Sequence, residues 1–497
     1  MKQPGRLAFV IAAIALLHPK VDTTVGAQPA QPRHTHLVIV VDGLRPDYVT
    51  RDVMPRLTRL GQRGIVFTAH HSVFPTVTRV NASSFVTGSY PETHGLLGNT
   101  IYIPSASAKP LDTGQRENLQ AVERGEGTLL TAPTLGEILN ANGMTLLGVS
   151  SGSTGSSYLL NHAAAGGPVI HYDYTKPPEL ASKVLSILGP PPAEEMPNDP
   201  RNQRAIDAYL KIGLDDIHPD VTLMWINDPD GTAHARGIGD PLTKKSLSLV
   251  DAGIGRIEDT LRERGLLEST NIIVTSDHGF STETGELNLP ALVAPFAKKL
   301  ADGSDDIVVA EGAIYLRQKD DDRLAAIVAA LQKRPEVGAI FTRDGKGGTL
   351  PFSIARWDHK RSGDILVSAN WTDKTNQFGY KGTTTQKGVA GHGSSSPYDI
   401  HNTLIAAGPD FRERATSNVA TANVDIAPTL LRLLGIAAPP SMTGRVIEEG
   451  LRGGVAPAPR VTRVETAATA DGSYSVSAHL SLVGAFRYLD YTEVKRR

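Results

Sequence analysis

The sequence predicts an α/β protein with a mainly parallel sheet flanked by helices. Three observations carry that reading. Short apolar runs bounded by polar or turn residues recur along the chain, as strands buried on both faces do. Amphipathic stretches lie between them, with proline near their starts or glycine just past their ends. The two kinds alternate, which is the order of βαβ units.

The elements follow in order. Lys2 and Arg6 precede the apolar run Leu7–Leu17, and small residues follow at Val25-Gly26-Ala27. Residues 1–27 therefore read as a secretory signal peptide cut after Ala27. The apolar run falls short of the roughly 20 residues that a helix needs to span a bilayer. Strands are expected at Leu37–Val41, Thr145–Val149, Val221–Ile226, Ile272–Thr275, Ile365–Ser368 and Leu404–Ala407. Helices are expected at Met54–Gln62, Thr134–Asn142, Leu242–Arg264 and Val424–Leu434, each followed closely by glycine. The third carries Leu247, Val250, Ile254, Ile257 and Leu261 at helical spacing. Residues 280–360 break the rhythm with mixed short elements and read as an insertion or cap within a catalytic domain spanning 28–452. Gly453–Pro459 reads as a linker. The segment beyond it, to residue 497, reads as a β-hairpin tail turning at Asp471-Gly472.

Composition narrows the chemistry. The 497 residues are 40% hydrophobic and 21% charged, which excludes disorder, collagen or coiled coil as a description of the whole. A net charge of −2 argues against a general nucleic-acid binder or a basic membrane-surface protein. There is no cysteine. That excludes disulfides, cysteine nucleophiles, thiolate zinc sites and Fe–S clusters. Any metal must be held by His, Asp, Glu or hydroxyl oxygen. A cysteine-free exported chain suits a bacterial periplasm or exterior.

Open α/β sheets bind ligands beyond the carboxyl ends of their strands. After Leu37–Val41 comes Asp42. After Val221–Ile226 comes Asp228-Pro229-Asp230-Gly231-Thr232-Ala233-His234. After Ile272–Thr275 comes Ser276-Asp277-His278-Gly279, and upstream of Leu404–Ala407 lies Gly391-His392-Gly393. Three strand ends each deliver an aspartate, two with a histidine nearby, and this ligand set suits Zn²⁺. Each piece alone has a plainer meaning: a helix cap, a turn, or a surface helix for Asp230 and His234. Thr78 opens a candidate helix within Phe74-Pro75-Thr76-Val77-Thr78-Arg79-Val80-Asn81. A hydroxyl in the positive field of a helix N-terminus suits a nucleophile attacking phosphorus. It is equally suited to capping that helix. His70 and His71 read as packing or capping residues. His359 and His401 are alternates to His392.

Together these motifs resemble the alkaline phosphatase superfamily, in particular its type I phosphodiesterase/nucleotide pyrophosphatase family. The resemblance spans roughly residues 35–440. It implies an alkaline-phosphatase-like core and a hydrolase with two Zn²⁺ per chain. It implies that Asp42, Asp277 and His278 hold one metal, which also touches Thr78, and that Asp230, His234 and His392 hold the other. It implies Thr78 as the nucleophile of a phosphothreonine intermediate and Asn99 as a donor to a phosphoryl oxygen. Two departures bear on substrate. The family's aromatic residue after the nucleophile is Arg79 here, a candidate substrate-binding residue. The cation pair that monoesterase and phosphonate-hydrolase relatives carry after the strand matching Thr145–Val149 is replaced by Ser150–Ser157, which holds no Lys or Arg. A monoanionic diester of a small molecule is therefore the expected substrate. The alternatives are a phosphomonoesterase or phosphonate hydrolase of the same superfamily, or a silent binding protein that kept the fold, which metal content would distinguish.

Overall fold

The computed structural model describes Met1 and residues 33–497, so the signal-peptide reading lies outside the described residues. A nine-stranded sheet runs through the middle of the unit His34–Arg497. Its order is Ala415–Ser417, Ile65–Phe67, Leu404–Ala407, Thr270–Thr275, Thr35–Val41, Val221–Ile226, Leu146–Ser150, Val169–His171, Thr175–Lys176. The four strands from Thr270–Thr275 to Leu146–Ser150 are parallel, while Leu404–Ala407 runs antiparallel to both neighbours.

The central strands are buried on both faces because both are covered by helices. On Thr35–Val41, Leu37, Ile39 and Val41 face a core shared with Leu247, Val250 and Ile254 of the long helix Pro241–Glu263. Val38 and Val40 face the opposite core, with Phe85 and Val86 of the helix Thr78–Thr87 and Leu430 of Ile426–Leu433. Each fully buried side chain of this size stabilises the fold by about 1.5–3 kcal/mol. The parallel direction brings the carboxyl ends of Thr35–Val41, Val221–Ile226 and Thr270–Thr275 to one sheet edge, where Asp42, Asp230 and Asp277 follow.

Two expectations need correction. The strand at Ile365–Ala369 lies outside the central sheet. It joins Ile307–Ala310, Ala313–Leu316, Val337–Thr342 and Leu350–Pro351 in a separate five-stranded sheet. All five of its residues are buried, and burial on both sides gives the same apolar run in either sheet. The tail, expected as a two-stranded hairpin, is a three-stranded antiparallel sheet of Arg460–Ala468, Tyr474–Val483 and Phe486–Arg496. The third strand packs inward: Tyr488 donates to Asp425 Oδ2 at 3.0 Å, and Trp371 Nε1 donates to the Thr492 carbonyl at 2.6 Å. Among the described residues, no helix is long and apolar enough to cross a membrane.

Candidate active site

Two of the three aspartates at the sheet edge, Asp42 and Asp277, are held by one oxygen and present the other. Trp225 Nε1 donates to Asp42 Oδ2 at 2.9 Å, and the Gly43 amide donates to Asp277 Oδ1 at 3.1 Å. The remaining oxygens, Asp42 Oδ1 and Asp277 Oδ2, are buried and accept no hydrogen bond, and neither does Asp230 Oδ1. An unpaired buried carboxylate oxygen is costly. Burial, then the charges of Asp277 and Asp230, push the Asp42 carboxyl well above its ordinary range.

The histidines follow a parallel rule. Each Nδ1 lies beside a carbonyl that can only accept, so Nδ1 carries a proton and Nε2 is the nitrogen turned toward the carboxylates. His278 donates to the Gly279 carbonyl at 2.9 Å, His234 to Ala390 at 2.9 Å and His392 to Thr76 at 2.8 Å. The free nitrogens converge on the free oxygens. His278 Nε2 is 3.0 Å from Asp277 Oδ2 and 3.4 Å from Asp42 Oδ1. His234 Nε2 and His392 Nε2 are 3.3 and 3.4 Å from Asp230 Oδ1. Metal-binding histidines are oriented in this way, by a carbonyl or carboxylate on the far nitrogen. Three oxygens and three imidazole nitrogens aimed inward at one another fit a divalent metal such as zinc. Asp230, His234 and His392 form one group with ligand atoms within 4.8 Å of one another, and Asp42, Asp230 and His278 form a second.

Local structure explains the placement. Asp230 and His234 lie one turn apart on the short helix Asp230–Arg236. Neighbouring Asp228 is taken up by the fold, accepting from Thr232, Asn198 and Asn202. A Cβ at Gly279 would run into the Tyr398 carbonyl oxygen, so only glycine lets the chain turn there after His278. Gly393, at φ +107°, takes a conformation that L-residues rarely adopt and turns the loop away behind His392.

Thr78 is the first helical residue of Thr78–Thr87, after Val77, and no side chain caps that helix. Its Oγ1 instead lies 3.3 Å from His278 Nε2. Phe85 of the same helix packs edge-on against Trp225, at 6.1 Å between ring centroids, which couples the helix to the Asp42 anchor. Asn99 Oδ1 accepts from the Arg79 backbone amide at 3.0 Å, leaving its Nδ2 as a donor beside the helix start. The Arg79 guanidinium turns to Thr113 Oγ1 at 3.4 Å and Asp112 at 3.7 Å. Ser150–Ser157 is used structurally: Ser151 donates to Asn202 Oδ1, and Ser153 caps the helix Thr154–Leu160.

The other histidines lie elsewhere. His70 bonds Thr421 and Asn423, and His359 lies against Thr131. His71 donates to the Thr421 carbonyl and contacts Asp490 at 2.8 Å, with the His401 ring 4.6 Å away. Two residues at the site escaped the sequence reading. Trp225 reads there as an ordinary core residue. Glu311, from the inserted layer, accepts from the Asn99 and Thr100 amides at 2.7 and 3.3 Å. Its only signal is a Glu-Gly pair between two apolar runs.

The profile of the type I phosphodiesterase/nucleotide pyrophosphatase family matches residues 36–395. The chain belongs to this family. Within the family it is 26% identical to a venom phosphodiesterase of Naja atra over 49% of its length, and 24% identical to Xenopus laevis bis(5'-adenosyl)-triphosphatase enpp4 over 84%. The match spans 26% of the venom protein but 81% of the Xenopus one, so the chain covers about a quarter of the first of these relatives. Among solved structures, murine ectonucleotide pyrophosphatase/phosphodiesterase 5, inactive and in complex with AMP, superposes with a TM-score of 0.60 at 18% identity. That match covers 84% of this chain and 100% of the other. A mutant of the alkaline phosphatase PafA superposes with a TM-score of 0.67 at 19% identity, over 85% and 100%. The alkaline-phosphatase-like fold is thus shared well beyond the residues of the site.

Proposed function

We propose that this protein is an exported two-zinc hydrolase of small phosphoric diesters, working through a phosphothreonine on Thr78. One observation carries the reading. Three buried, unpartnered carboxylate oxygens and three inward imidazole nitrogens converge at the sheet edge, and a threonine hydroxyl that caps nothing lies 3.3 Å from one of those nitrogens, His278 Nε2. Asp42, Asp277 and His278 would hold one zinc beside Thr78, and Asp230, His234 and His392 the other. Bound zinc would supply Lewis acidity toward oxygens bonded to phosphorus.

The chain's own residues do the rest. The helix N-terminus aims Thr78 Oγ1 and a positive field at phosphorus. The Thr78 oxygen forms the new bond to phosphorus, and the ester oxygen on the opposite side leaves with a proton as the free alcohol. Water then cleaves the phosphothreonine, releasing a phosphate monoester and restoring Thr78. Asn99 Nδ2 faces the phosphoryl oxygens, where a donor is worth most as charge builds.

Ser150–Ser157 offers no cation, and Arg79 is drawn toward Asp112, so a second phosphoryl charge would meet only dipoles. Each missing charge-assisted contact costs about 1.5–3 kcal/mol. A diester is therefore preferred over the matching monoester. Bis-(4-nitrophenyl) phosphate against 4-nitrophenyl phosphate tests this by kcat/KM. A tenfold preference for the monoester would replace the reading with the phosphatase alternative. Export predicts a mature N-terminus at Gln28, read by N-terminal sequencing.

A further inference from the structure

A cavity of about 370 Å³ opens beside His392 and Gly393, between the core and the inserted five-stranded layer. We propose that it is the subsite for the leaving alcohol, and that it selects an uncharged apolar one over an anionic one. The inference rests on the diesterase reading above.

Its position follows from in-line displacement. Thr78 lies beside His278, and in-line attack by its oxygen sends the departing oxygen to the far side of phosphorus, where the second zinc, on Asp230, His234 and His392, would receive it. The cavity wall begins at His392 and is continued by Val77, the residue before Thr78. Its volume lies in the range of pockets that bury small organic groups. Phe74, Leu97, Leu287, Leu289 and Leu366 supply an apolar wall, facing polar residues such as Asn288 and Gln386.

Charge at the rim sets the preference. Lys387 and Glu286 pair with each other at 3.2 Å and cancel. Glu311 remains, with one carboxylate oxygen tied to the Asn99 and Thr100 amides; the charges within its reach, Arg79 and Asp112, pair with each other at 3.7 Å. It stands at the first position of the two-residue turn joining Ile307–Ala310 to Ala313–Leu316, at φ +56°. That left-handed position ordinarily goes to glycine. A strained non-glycine residue retained beside a reacting centre points to a use for its side chain. A carboxylate there repels a departing pyrophosphate and tolerates a phenol or an aliphatic alcohol.

Two substrates that transfer the same thymidylyl group test the subsite: the 4-nitrophenyl ester of thymidine 5'-phosphate and thymidine triphosphate. Glu311→Gln keeps an acceptor for the two amides and removes the charge. It should raise kcat/KM for the triphosphate about tenfold relative to the aryl ester. Leu287→Trp, which fills the cavity, should raise KM for the aryl ester about tenfold with little change for the triphosphate. Leu287→Ala, which folds more readily, should raise the same KM by a smaller factor. Substrate ratios that stay constant across all three variants, with melting unchanged, would overturn the subsite. Hydrolysis of neither substrate by the unaltered enzyme would also overturn the subsite, and failure on bis-(4-nitrophenyl) phosphate as well would remove the diesterase reading beneath it.

Discussion

The two ends of the site are built differently. At one end, Asp277 and His278 have no exposed side-chain surface and Asp42 is 4% exposed, because all three leave central strands directly. At the other, His234 is 44% exposed and hangs from a short helix, and His392 sits on a glycine-flanked loop. The buried end is held by the sheet and the hydrophobic core. The open end is held by single carbonyl contacts to Ala390 and Thr76. Chemistry that tolerates no slack belongs at the first, and exchange with solvent belongs at the second.

The sharpest way to break this contrast is Thr78→Ala. It removes the proposed nucleophile from the buried end without touching the core. We expect kcat to fall by roughly 10⁴-fold or more while the melting temperature holds. Near-normal turnover would mean that water attacks phosphorus directly. Asn99→Ala comes next, with an expected loss in kcat/KM of about 10²–10³-fold, or 3–4 kcal/mol. Because Asn99 Oδ1 also holds the Arg79 amide, thermal melts on the same variant separate lost rate from lost order. A fall in stability with unchanged kinetics would make Asn99 only a turn residue.

At the open end, water can take the place of an exposed ligand. His234→Ala should therefore cost less, about 10²-fold in kcat/KM, and leave about one tightly held zinc per chain after dialysis. Elemental analysis reads this directly; two retained ions would put His234 outside the metal set. The parent should carry about two zinc ions and lose activity to chelators.

The smallest expected effect is on acid stability. Burial, with the neighbouring His359 and Arg361 charges, lowers the pKa of His94 to about 3, and its ring contacts Ser84 of the nucleophile helix at 3.2 Å. Above pH 6.5 the ring is neutral folded or unfolded, and no stability is linked to protons. Below it the unfolded chain binds a proton that the folded one refuses. Stability is then lost as pH falls, by about 2 kcal/mol at pH 5 for this residue. His94→Gln should flatten the decline in melting temperature between pH 7 and 5; an identical slope would mean that His94 does not drive it.

The three aspartates, shared between the two ends, were the most legible part of the site in sequence. Asp42, Asp230 and Asp277 follow apolar runs whose parallel order aligns their ends, and local pattern is enough to find them. Which sheet a run joins is not local, and Ile365–Ala369 looks the same in either. The third tail strand was hidden because its inward positions include Asp490 and Thr492, which are polar yet buried against His71 and Ser395. Glu311 was invisible for a different reason. Its role depends on a hairpin from the inserted layer reaching Asn99, more than 200 residues earlier in the chain.

The Trp225–Asp42 contact makes the protein its own optical sensor. The chain has three tryptophans, and the indole of Trp225 shares its proton with a proposed metal ligand. A change in charge on Asp42 alters the local field at that fluorophore, whereas Trp357 bonds the Leu97 carbonyl and Trp371 the Thr492 carbonyl. Zinc entering or leaving the proposed site at the buried end should then shift the ultraviolet emission of Trp225, with no dye and no turnover.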